Sequence, residues 1–283
     1  MPGRVEAATI DHGLRPQSAE EAAFVSGLCR EIAVPHRTIA VTVEPGNLQA
    51  NARRARYSAL AKWYDQRGLA VLATAHHADD QAETLLMRLN RGSGLSGLAG
   101  VRAHSWFLPA SAAGEYELVR PLLDWRKAEL AALVDDAGVE AVTDPSNEDE
   151  AFDRVRIRKA LAKQDWLDPV AIAKSASLLG DVQVFVEAAV IGVWQAYAGG
   201  TGDRRWYYPG DDRLENTEIA VLVLDQIGSG ARKSDVARLV DRLARGQSSN
   251  LGGILAKPVN DKAGLGRNGW RWDFMPEPQR KTG

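Results

Sequence analysis

The sequence predicts an α/β protein whose first half holds a parallel sheet and whose second half is mainly helical. Up to about residue 150, short apolar runs alternate with helix-like segments, as they do in parallel βαβ units. Over residues 153–197 the apolar pattern is helical and shows no clear strand alternation. We therefore expect one domain at 1–150 and a helical domain with a small β-like tail at 151–283.

Apolar periodicity and helix-start signals predict the elements of the first half in order. Ser18 and Glu21 form a capping-box pattern, which indicates a helix that runs to about Ile32. The other predicted elements are strands at 5–10, 35–43, 69–74 and 118–122, and helices at 47–67, 79–91 and 129–137.

The second half gives weaker signals. Residues 199–209 are rich in glycine and aromatic side chains and are interpreted as a connector, whereas 219–227 suit either a strand or a buried helix. An amphipathic helix is predicted at 234–245, with Ser234 as its N-cap. The last thirty or so residues, rich in glycine and tryptophan, predict short strands and turns.

Composition limits the class of protein. A chain of 283 residues, 45% of them apolar, can bury one large core and a second, smaller one. No apolar run approaches the roughly 20 residues that span a bilayer, and no secretion signal is recognisable, so we expect a cytoplasmic protein without a membrane partner. The single cysteine, Cys29, excludes a disulfide framework and is expected to be a buried structural thiol.

The net charge of −2 gives no overall attraction to nucleic acid, so any such binding must use local basic patches. Two patches are candidates. Arg53 and Arg56 lie three positions apart on one predicted helix, and Arg154 and Arg158 lie four apart on another. Each pair is either a solvated or salt-bridged helix face or a contact for phosphate or RNA.

The segment AHHADDQAE at 75–83 concentrates two histidines and three carboxylates. It follows a predicted strand and opens a helix, which places it at the carboxyl edge of the sheet, where α/β folds bind ligands. His76 and Asp80 would be neighbours on the helix, as would Asp79 and Glu83. Two interpretations stay open. The segment is either a helix N-terminus capped by Asp79 or Asp80, with Asp80 and Glu83 as a capping box, or part of a catalytic site.

A metal is a further alternative for this segment. Zinc is disfavoured because the pattern H-E-x-x-H is absent. Magnesium held by a carboxylate and by phosphate oxygens remains open, since it needs few protein ligands.

The glycine-rich segment RGSGLSGL at 91–98 follows directly. Its glycines would allow backbone N–H groups to converge on an anion, with donors added by Arg91 and Ser93. The alternative is a helix C-cap and a turn. Two other glycine-rich segments are set aside, because 228–234 carries Arg232 where a Walker A loop needs glycine and 198–203 follows a helix instead of a strand.

Six motifs in order resemble one family. They are DHGLR at 11–15, NLQANARRARY at 47–57, AHHADDQAETLLMRLNRGSGLSGL at 75–98, RPLL at 120–123, DPSN at 144–147 and RVRIR at 154–158. Together they are similar to the bacterial tRNA(Ile)-lysidine synthetases, which are N-type PP-loop ATP pyrophosphatases. The resemblance covers nearly the whole chain and is strongest over 9–160; Val155 departs from the family's Arg-Asn-x-x-Arg.

The resemblance implies an ATP-dependent ligase. Such an enzyme adenylates O2 of the wobble cytidine in a tRNA(Ile) with a CAU anticodon, and the amine of free L-lysine then attacks C2 and expels AMP. ATP and Mg²⁺ are the implied cofactors, and a homodimer is compatible with the family. Alternatives are another PP-loop tRNA-modifying enzyme, although thiolases of this class commonly need cysteines that are missing here, or a non-catalytic tRNA-binding remnant.

The resemblance also implies roles for particular residues. A base such as His76 or Asp80 would deprotonate the lysine amine, and Arg56 would stabilise phosphate charge. The implied ATP-binding residues are Asp11, Arg91, Gly92, Ser93 and Gly94, the implied tRNA-binding residues are Arg53, Arg154 and Arg158, and the implied Mg²⁺ ligand is Asp80.

One family feature has no match. The phosphate loop Ser-Gly-Gly-x-Asp-Ser normally follows the first strand, whereas here residues 1–5 lead straight into what resembles the second strand. We expect the first strand, the loop and the first helix to be absent, with an exposed sheet edge as a result. A start codon assigned too far downstream or a real truncation would explain this, and we expect little or no lysidine formation by this chain.

Overall fold

A computed structural model of the protein describes residues 5–13, 17–109, 114–142, 149–261 and 267–278. The chain divides into two compact units, Met1–Gly180 and Asp181–Gly283. The division falls at residue 180, inside the long helix Pro169–Tyr197, and the domain boundary near 150 that the apolar pattern indicates stays a prediction.

The first unit alternates strands and helices as expected. Its elements are β1 (Ala7–Asp11), α1 (Ser18–Glu31), β2 (His36–Ala40), α2 (Leu48–Arg67), β3 (Leu72–Ala73), α3 (Ala78–Asn90), α4 (Leu95–Leu98), β4 (His104–Phe107), β5 (Tyr116–Val119), α5 (Lys127–Asp136), α6 (Asp153–Ala162) and the first part of α7 (Pro169–Tyr197).

The pairing of these strands confirms the parallel α/β class. β1 runs parallel to β2, and β3 runs parallel to β5, while β4 pairs with β5 in the antiparallel sense. The described strands form two sheets, β1-β2 and β3-β5-β4. Within the described ranges, the outer strands of both sheets each pair with one strand only, and the exposed edge attributed to a missing first strand stays a prediction.

Helix α2 shows why the sequence folds as predicted in this region. The side chain of Asn47 accepts a hydrogen bond from Ala50 N at 3.2 Å, and Gly68 ends the helix with a φ of +61°. Trp63 on this helix packs with Leu72 of β3 and Leu118 of β5 in a buried cluster. This burial of apolar surface attaches α2 to the second sheet.

Two helix caps were predicted at the wrong residue. The N-cap of α1 is Gln17 and not Ser18, and the N-cap of the helix Lys233–Ala244 is Arg232 and not Ser234. Each serine lies in the first turn of its helix, so the predicted caps are correct to within two residues. The free cysteine, Cys29, is buried as predicted.

The second unit is built on a five-stranded antiparallel sheet in the order β6-β7-β10-β9-β8. Its elements after α7 are β6 (Ala198–Thr201), β7 (Arg204–Tyr207), α8 (Arg213–Gln226), α9 (Lys233–Ala244), β8 (Ser249–Leu251), β9 (Ile254–Asn260) and β10 (Trp270–Pro276). Tyr207, Trp272 and Phe274 are at most 2% exposed and pack with α8 and α9 in one core.

The structure corrects the predicted connector at 199–209, which contains the paired strands β6 and β7. Glycine is disfavoured in strands, yet a Cβ on Gly199 would come within 2.6 Å of the Trp206 ring, so the glycine admits this ring. The ambiguous segment 219–227 lies mostly in α8, a helix whose central residues are buried. The predicted strands of the last thirty or so residues are confirmed as β9 and β10.

Helix α7 is the single helix in the described part of the chain that is long and apolar enough to cross a membrane by length and composition. It has 29 residues, and an 18-residue window with a mean hydropathy of 1.6 is 22% buried. The helix lies within the predicted helical segment 153–197, but no spanning run was recognised there because Lys174, Asp181 and Glu187 interrupt its apolar residues. Length and composition alone do not place it in a membrane, and the absence of a membrane partner stays a prediction.

Candidate active site at the carboxyl ends of the parallel strands

His76 lies just beyond β3, at the carboxyl edge of its sheet. Its Nδ1 is 2.9 Å from Thr74 Oγ1, a hydrogen bond that fixes the ring. Burial lowers the pKa of His76 below its usual 6.5, and the charge of Arg120 lowers this pKa further, while Asp80 opposes the shift. The imidazole is therefore neutral near pH 7, which is the form that a general base requires.

His77, its neighbour, begins helix α3. His77 Nδ1 accepts a hydrogen bond from Asp80 N at 3.3 Å, and His77 N donates to Asp80 Oδ2 at 3.1 Å. This reciprocal pair is a capping box with His77 as the N-cap. The expected cap at Asp79 or Asp80 and the expected box of Asp80 with Glu83 are wrong, because the helix begins earlier.

Asp79 stabilises a different helix. It accepts hydrogen bonds from Arg126 Nη2 at 3.0 Å and from Lys127 N at 2.7 Å, at the start of α5. Burial raises the pKa of Asp79, but these hydrogen bonds and the charge of Arg126 outweigh burial and keep the pKa below its usual value. Asp79 therefore ties the beginnings of α3 and α5 together.

Glu83 is a buried carboxylate, 1% exposed, between two guanidinium groups. Arg154 Nε and Arg158 Nε each donate to one of its oxygens at 2.7 Å. Arg154 also lies 3.4 Å from Asp80 Oδ1. Both arginines, predicted as tRNA contacts, thus fix α6 against α3. Arg154 also faces Asp80, the carboxylate that forms the capping box with His77.

A second group lies at the end of β1. Asp11 Oδ1 accepts a hydrogen bond from Gly13 N at 2.8 Å, and His12 Nε2 is 3.4 Å from Arg56 Nη2. Burial lowers the pKa of His12, and the charge of Arg56 adds to the shift. The structure therefore brings Asp11 and Arg56 to the same strand end. Sequence reasoning missed His12, although it stands in the motif DHGLR.

Arg120 was also missed as a site residue, although RPLL begins with it. It is 6% exposed and follows β5 directly. Its Nη1 donates to Arg102 O at 2.6 Å and to Ser105 Oγ at 3.0 Å. Burial lowers its pKa, with a contribution from the charge of Arg53, and Arg53 in turn stacks 4.7 Å from the centre of the Tyr57 ring.

The segment 91–98 does not join this group. The N–H groups of Gly92 and Ser93 donate to carbonyl oxygens in the last turn of α3, at 3.0 Å each, so they form a helix C-cap. Arg91 pairs with Asp153 at 2.5 Å. Since α3 has 13 residues, this end lies about 20 Å from His76 along the axis. The role of Arg91, Gly92, Ser93 and Gly94 in ATP binding stays a prediction.

The fit of a metal depends on Asp80. In the described part of the chain no three histidine, cysteine or carboxylate side chains are grouped as metal ligands. One Asp80 oxygen accepts a hydrogen bond from His77 N, while the other is 3.4 Å from Arg154. Asp80 therefore fits only a Mg²⁺ ion whose other ligands are phosphate and water oxygens.

The arrangement combines a neutral imidazole, fixed carboxylates and several guanidinium groups at the carboxyl ends of three strands. The charges of Arg53, Arg120 and Arg154 all lower the pKa of His76, so the ring lies within the field of these three side chains. Such a set can take up a proton and stabilise charge on a phosphate. The motif DPSN lies outside the described residues.

Comparison with known proteins defines the class first. Residues 2–165, more than half of the chain, match the family model of the PP-loop domain. The protein is therefore a PP-loop protein, and its first unit carries the ATP-binding domain of that class.

Curated relatives define the family within this class. The tRNA(Ile)-lysidine synthase of Novosphingobium aromaticivorans is 43% identical over 95% of this chain and 81% of its own length. The tRNA(Ile)-lysidine synthase of Zymomonas mobilis is 35% identical over 98% of this chain and 82% of its own length. The chain belongs to the tRNA(Ile)-lysidine synthase family, as its motifs predict.

Among solved structures, the U34-tRNA thiolase NcsA from Methanococcus maripaludis has a TM-score of 0.49 and 12% sequence identity to this chain. The match covers 63% of this chain and 61% of that one.

Proposed function

We propose that the group around His76 is the centre at which this chain forms lysidine on tRNA(Ile), the reaction for which its family is named. In the first step, O2 of the wobble cytidine attacks the α-phosphorus of ATP and displaces diphosphate. In the second, the amine of free L-lysine attacks C2, and the C2–O2 bond breaks with AMP as the leaving group. The amine loses a proton to a base in this step.

The observation that carries this proposal is the neutral, half-buried imidazole of His76 among cationic side chains. A neutral imidazole can take the proton of the attacking amine. The guanidinium groups of Arg53, which acts on His76, and of Arg56, at the end of β1, would stabilise the negative charge that phosphate oxygens gain in each step. Arg154, positioned by Glu83, would meet the tRNA or the adenylated intermediate.

Mg²⁺ belongs to the same proposal. Asp80 would be its protein ligand, and phosphate oxygens would complete the coordination. When bound, the ion supplies positive charge to the phosphates of ATP. We also propose that the chain acts in the cytoplasm and as a homodimer, without a membrane partner.

Incorporation of labelled lysine into a tRNA(Ile) with a CAU anticodon tests the centre. We expect a low level of incorporation that requires ATP, is lost in His76→Ala and persists in His36→Ala, a histidine of β2. A low rate suffices, since each reaction is compared with one that lacks ATP. Affinity for this tRNA is measured alongside and should survive His76→Ala.

Two outcomes would reject the proposal. If His76→Ala incorporated as much lysine as the unaltered chain, His76 would not be the base that takes the proton from the amine. Binding of the tRNA without any ATP-dependent incorporation would leave a tRNA-binding protein in place of a ligase.

A further inference from the structure

The part of α7 that lies in the second unit has two apolar sides. One side packs into the core of this unit through Val190, which is 9% exposed, and through Val186 and Trp194. The other side carries Val182, which is 50% exposed, and Phe185, which is 75% exposed. A helix that is apolar around most of its circumference is normally covered on every side. The side with Phe185 is left open, so it is a candidate interaction surface.

Four residues on this open side repeat at the spacing of a coiled-coil seam. They are separated by three, four and three positions, and each is exposed: Val182, Phe185, Ala189 and Gly192. This is the heptad spacing at which two helices pack along their length. These four residues are called the outer seam of α7 below.

Gly192 has no explanation within the single chain. Glycine in a helix interior destabilises the helix relative to alanine. A Cβ on Gly192 would meet no atom within 4 Å, so nothing in the described part of the chain requires a glycine at this position. The space beside Gly192 is therefore open to a side chain from another molecule.

The order of large and small residues indicates what covers the outer seam. Its first half is large, with Val182 and Phe185, and its second half is small, with Ala189 and Gly192. When two copies of α7 pack antiparallel about a two-fold axis beside Glu187, each large residue of one copy lies opposite a small residue of the other. Phe185 then faces the partner's Ala189, and Val182 faces the partner's Gly192. The outer seam is therefore complementary to itself.

The charges of this segment favour a second copy over other partners. Between residues 182 and 197 the single charged residue is Glu187, whose Oε1 accepts a hydrogen bond from Gln183 Nε2 at 3.0 Å on the same helix. Two copies would therefore meet along the outer seam without repulsion between like charges. An RNA would require lysine or arginine here, and a helix on a membrane surface would carry these residues on its polar face.

We propose that two copies of this chain dimerise through the outer seam of α7, with the two helices antiparallel about a two-fold axis. The proposal gives an interface to the homodimer proposed above and rests on it. Phe185, at the centre of the seam, is the aromatic anchor of this interface. The interface is separate from the reaction, because Phe185 lies in the second unit and His76 in the first.

Sedimentation equilibrium of the full chain over a range of protein concentrations tests the interface. We expect a monomer–dimer equilibrium, and Phe185→Glu should raise its dissociation constant by about thirtyfold or more, the effect of losing an aromatic anchor. Val184→Glu is the matched control, since Val184 is 52% exposed on the same helix but lies off the seam, and the constant should not change. An unchanged constant in Phe185→Glu would overturn the proposal.

An exchange of large and small residues tests the antiparallel pairing. Phe185→Ala leaves a gap beside the partner's Ala189, and Ala189→Phe brings two rings together, so each change should weaken the dimer by about tenfold or more. The double variant places the ring on the other member of each pair and should restore most of the affinity. If the double variant stayed as weak as the single ones, the two-fold pairing would be wrong.

Gly192→Leu separates the interface from the stability of the single chain. The leucine would collide with the partner's Val182, so the dimer should weaken. Urea unfolding at concentrations at which the copies are apart should show equal or greater stability, because leucine favours a helix and meets open space. Lower stability of the separated chain would show that Gly192 serves the fold of its own unit, and would remove it from the seam.

Incorporation of labelled lysine, measured on the same samples, separates this proposal from the proposed reaction. Incorporation by a chain that stays monomeric at every concentration would reject the interface and the homodimer and keep the reaction. A dimer that Phe185→Glu dissociates, without any incorporation, would reject the reaction alone. Binding of a monomeric chain to vesicles of neutral and anionic phospholipids, abolished by Phe185→Glu, would assign the outer seam to a membrane and overturn the proposal.

Discussion

At the scale of single residues, two adjacent histidines have different roles. His76 lies within the field of the positive charges of Arg53, Arg120 and Arg154, whereas His77 caps α3 through Asp80. Their order in the sequence does not reveal this difference. The difference depends on which of the two rings the backbone after β3 directs towards the carboxyl edge of the sheet. The charges that act on His76 come from α2, β5 and α6, which are distant in sequence.

The titration of His76 is the first prediction at this scale. Its pKa in the folded chain should lie below 6.5, because burial and Arg120 disfavour the imidazolium. An NMR titration of the histidine ring protons, with the His76 signal assigned by its loss in His76→Gln, measures this pKa. A midpoint at or above 6.5 would contradict the neutral base.

The same shift has a consequence for stability. As pH falls below about 6.5, the unfolded chain binds the proton at His76 before the folded chain does, so the free energy of unfolding decreases until the folded pKa is reached. Above 6.5 this contribution is fully present. His76→Gln should remove this part of the acid sensitivity, and urea unfolding at pH 7 and pH 5 would detect it.

At the scale of elements, helices α3, α5 and α6 are linked by the carboxylates of AHHADDQAE. Asp79 contacts the start of α5, and Glu83 binds two arginines of α6. The sequence predicted that these side chains share a helix face, and it predicted α3 and α6 themselves. It could not predict the pairing of Glu83 with Arg154 and Arg158, since that depends on how the helices pack.

Glu83→Gln should therefore destabilise the first unit. Removal of the carboxylate leaves two guanidinium groups without their partner, and breaking a buried pair costs several kcal/mol. Because the arginine side chains are 42% and 33% exposed, we expect a smaller loss of about 2 kcal/mol in the free energy of unfolding.

Chemical denaturation followed by circular dichroism measures this loss. Glu150→Gln is the matched control, since Glu150 pairs with Lys159 at the surface and should matter little. Equal stability of Glu83→Gln and the unaltered chain would show that solvent screens the buried pair.

At the scale of the whole molecule, the fold class of the first unit was predictable and the sheet of the second unit was not. Parallel strands that are buried give clear apolar runs, as at Leu72 and Leu118. The strand β6 begins Ala-Gly-Gly, and its pairing is stabilised by the ring of Trp206 over Gly199. The alternation of apolar and polar residues along the chain does not show this contact between two strands, so a glycine-rich strand was interpreted as a connector.

The two units each have their own buried cluster, and this predicts independent responses to mutation. Phe274 is 0% exposed in the second unit. Phe274→Ala should lower the free energy of unfolding of this unit by about 3–5 kcal/mol, because a cavity replaces the ring. Amide hydrogen exchange should show faster opening of residues 198–276, while α2 and α3 keep their protection. Leu214→Ala, 55% exposed in the same unit, is the control and should change little. If α3 lost protection in step with β10, the units would unfold as one cooperative body.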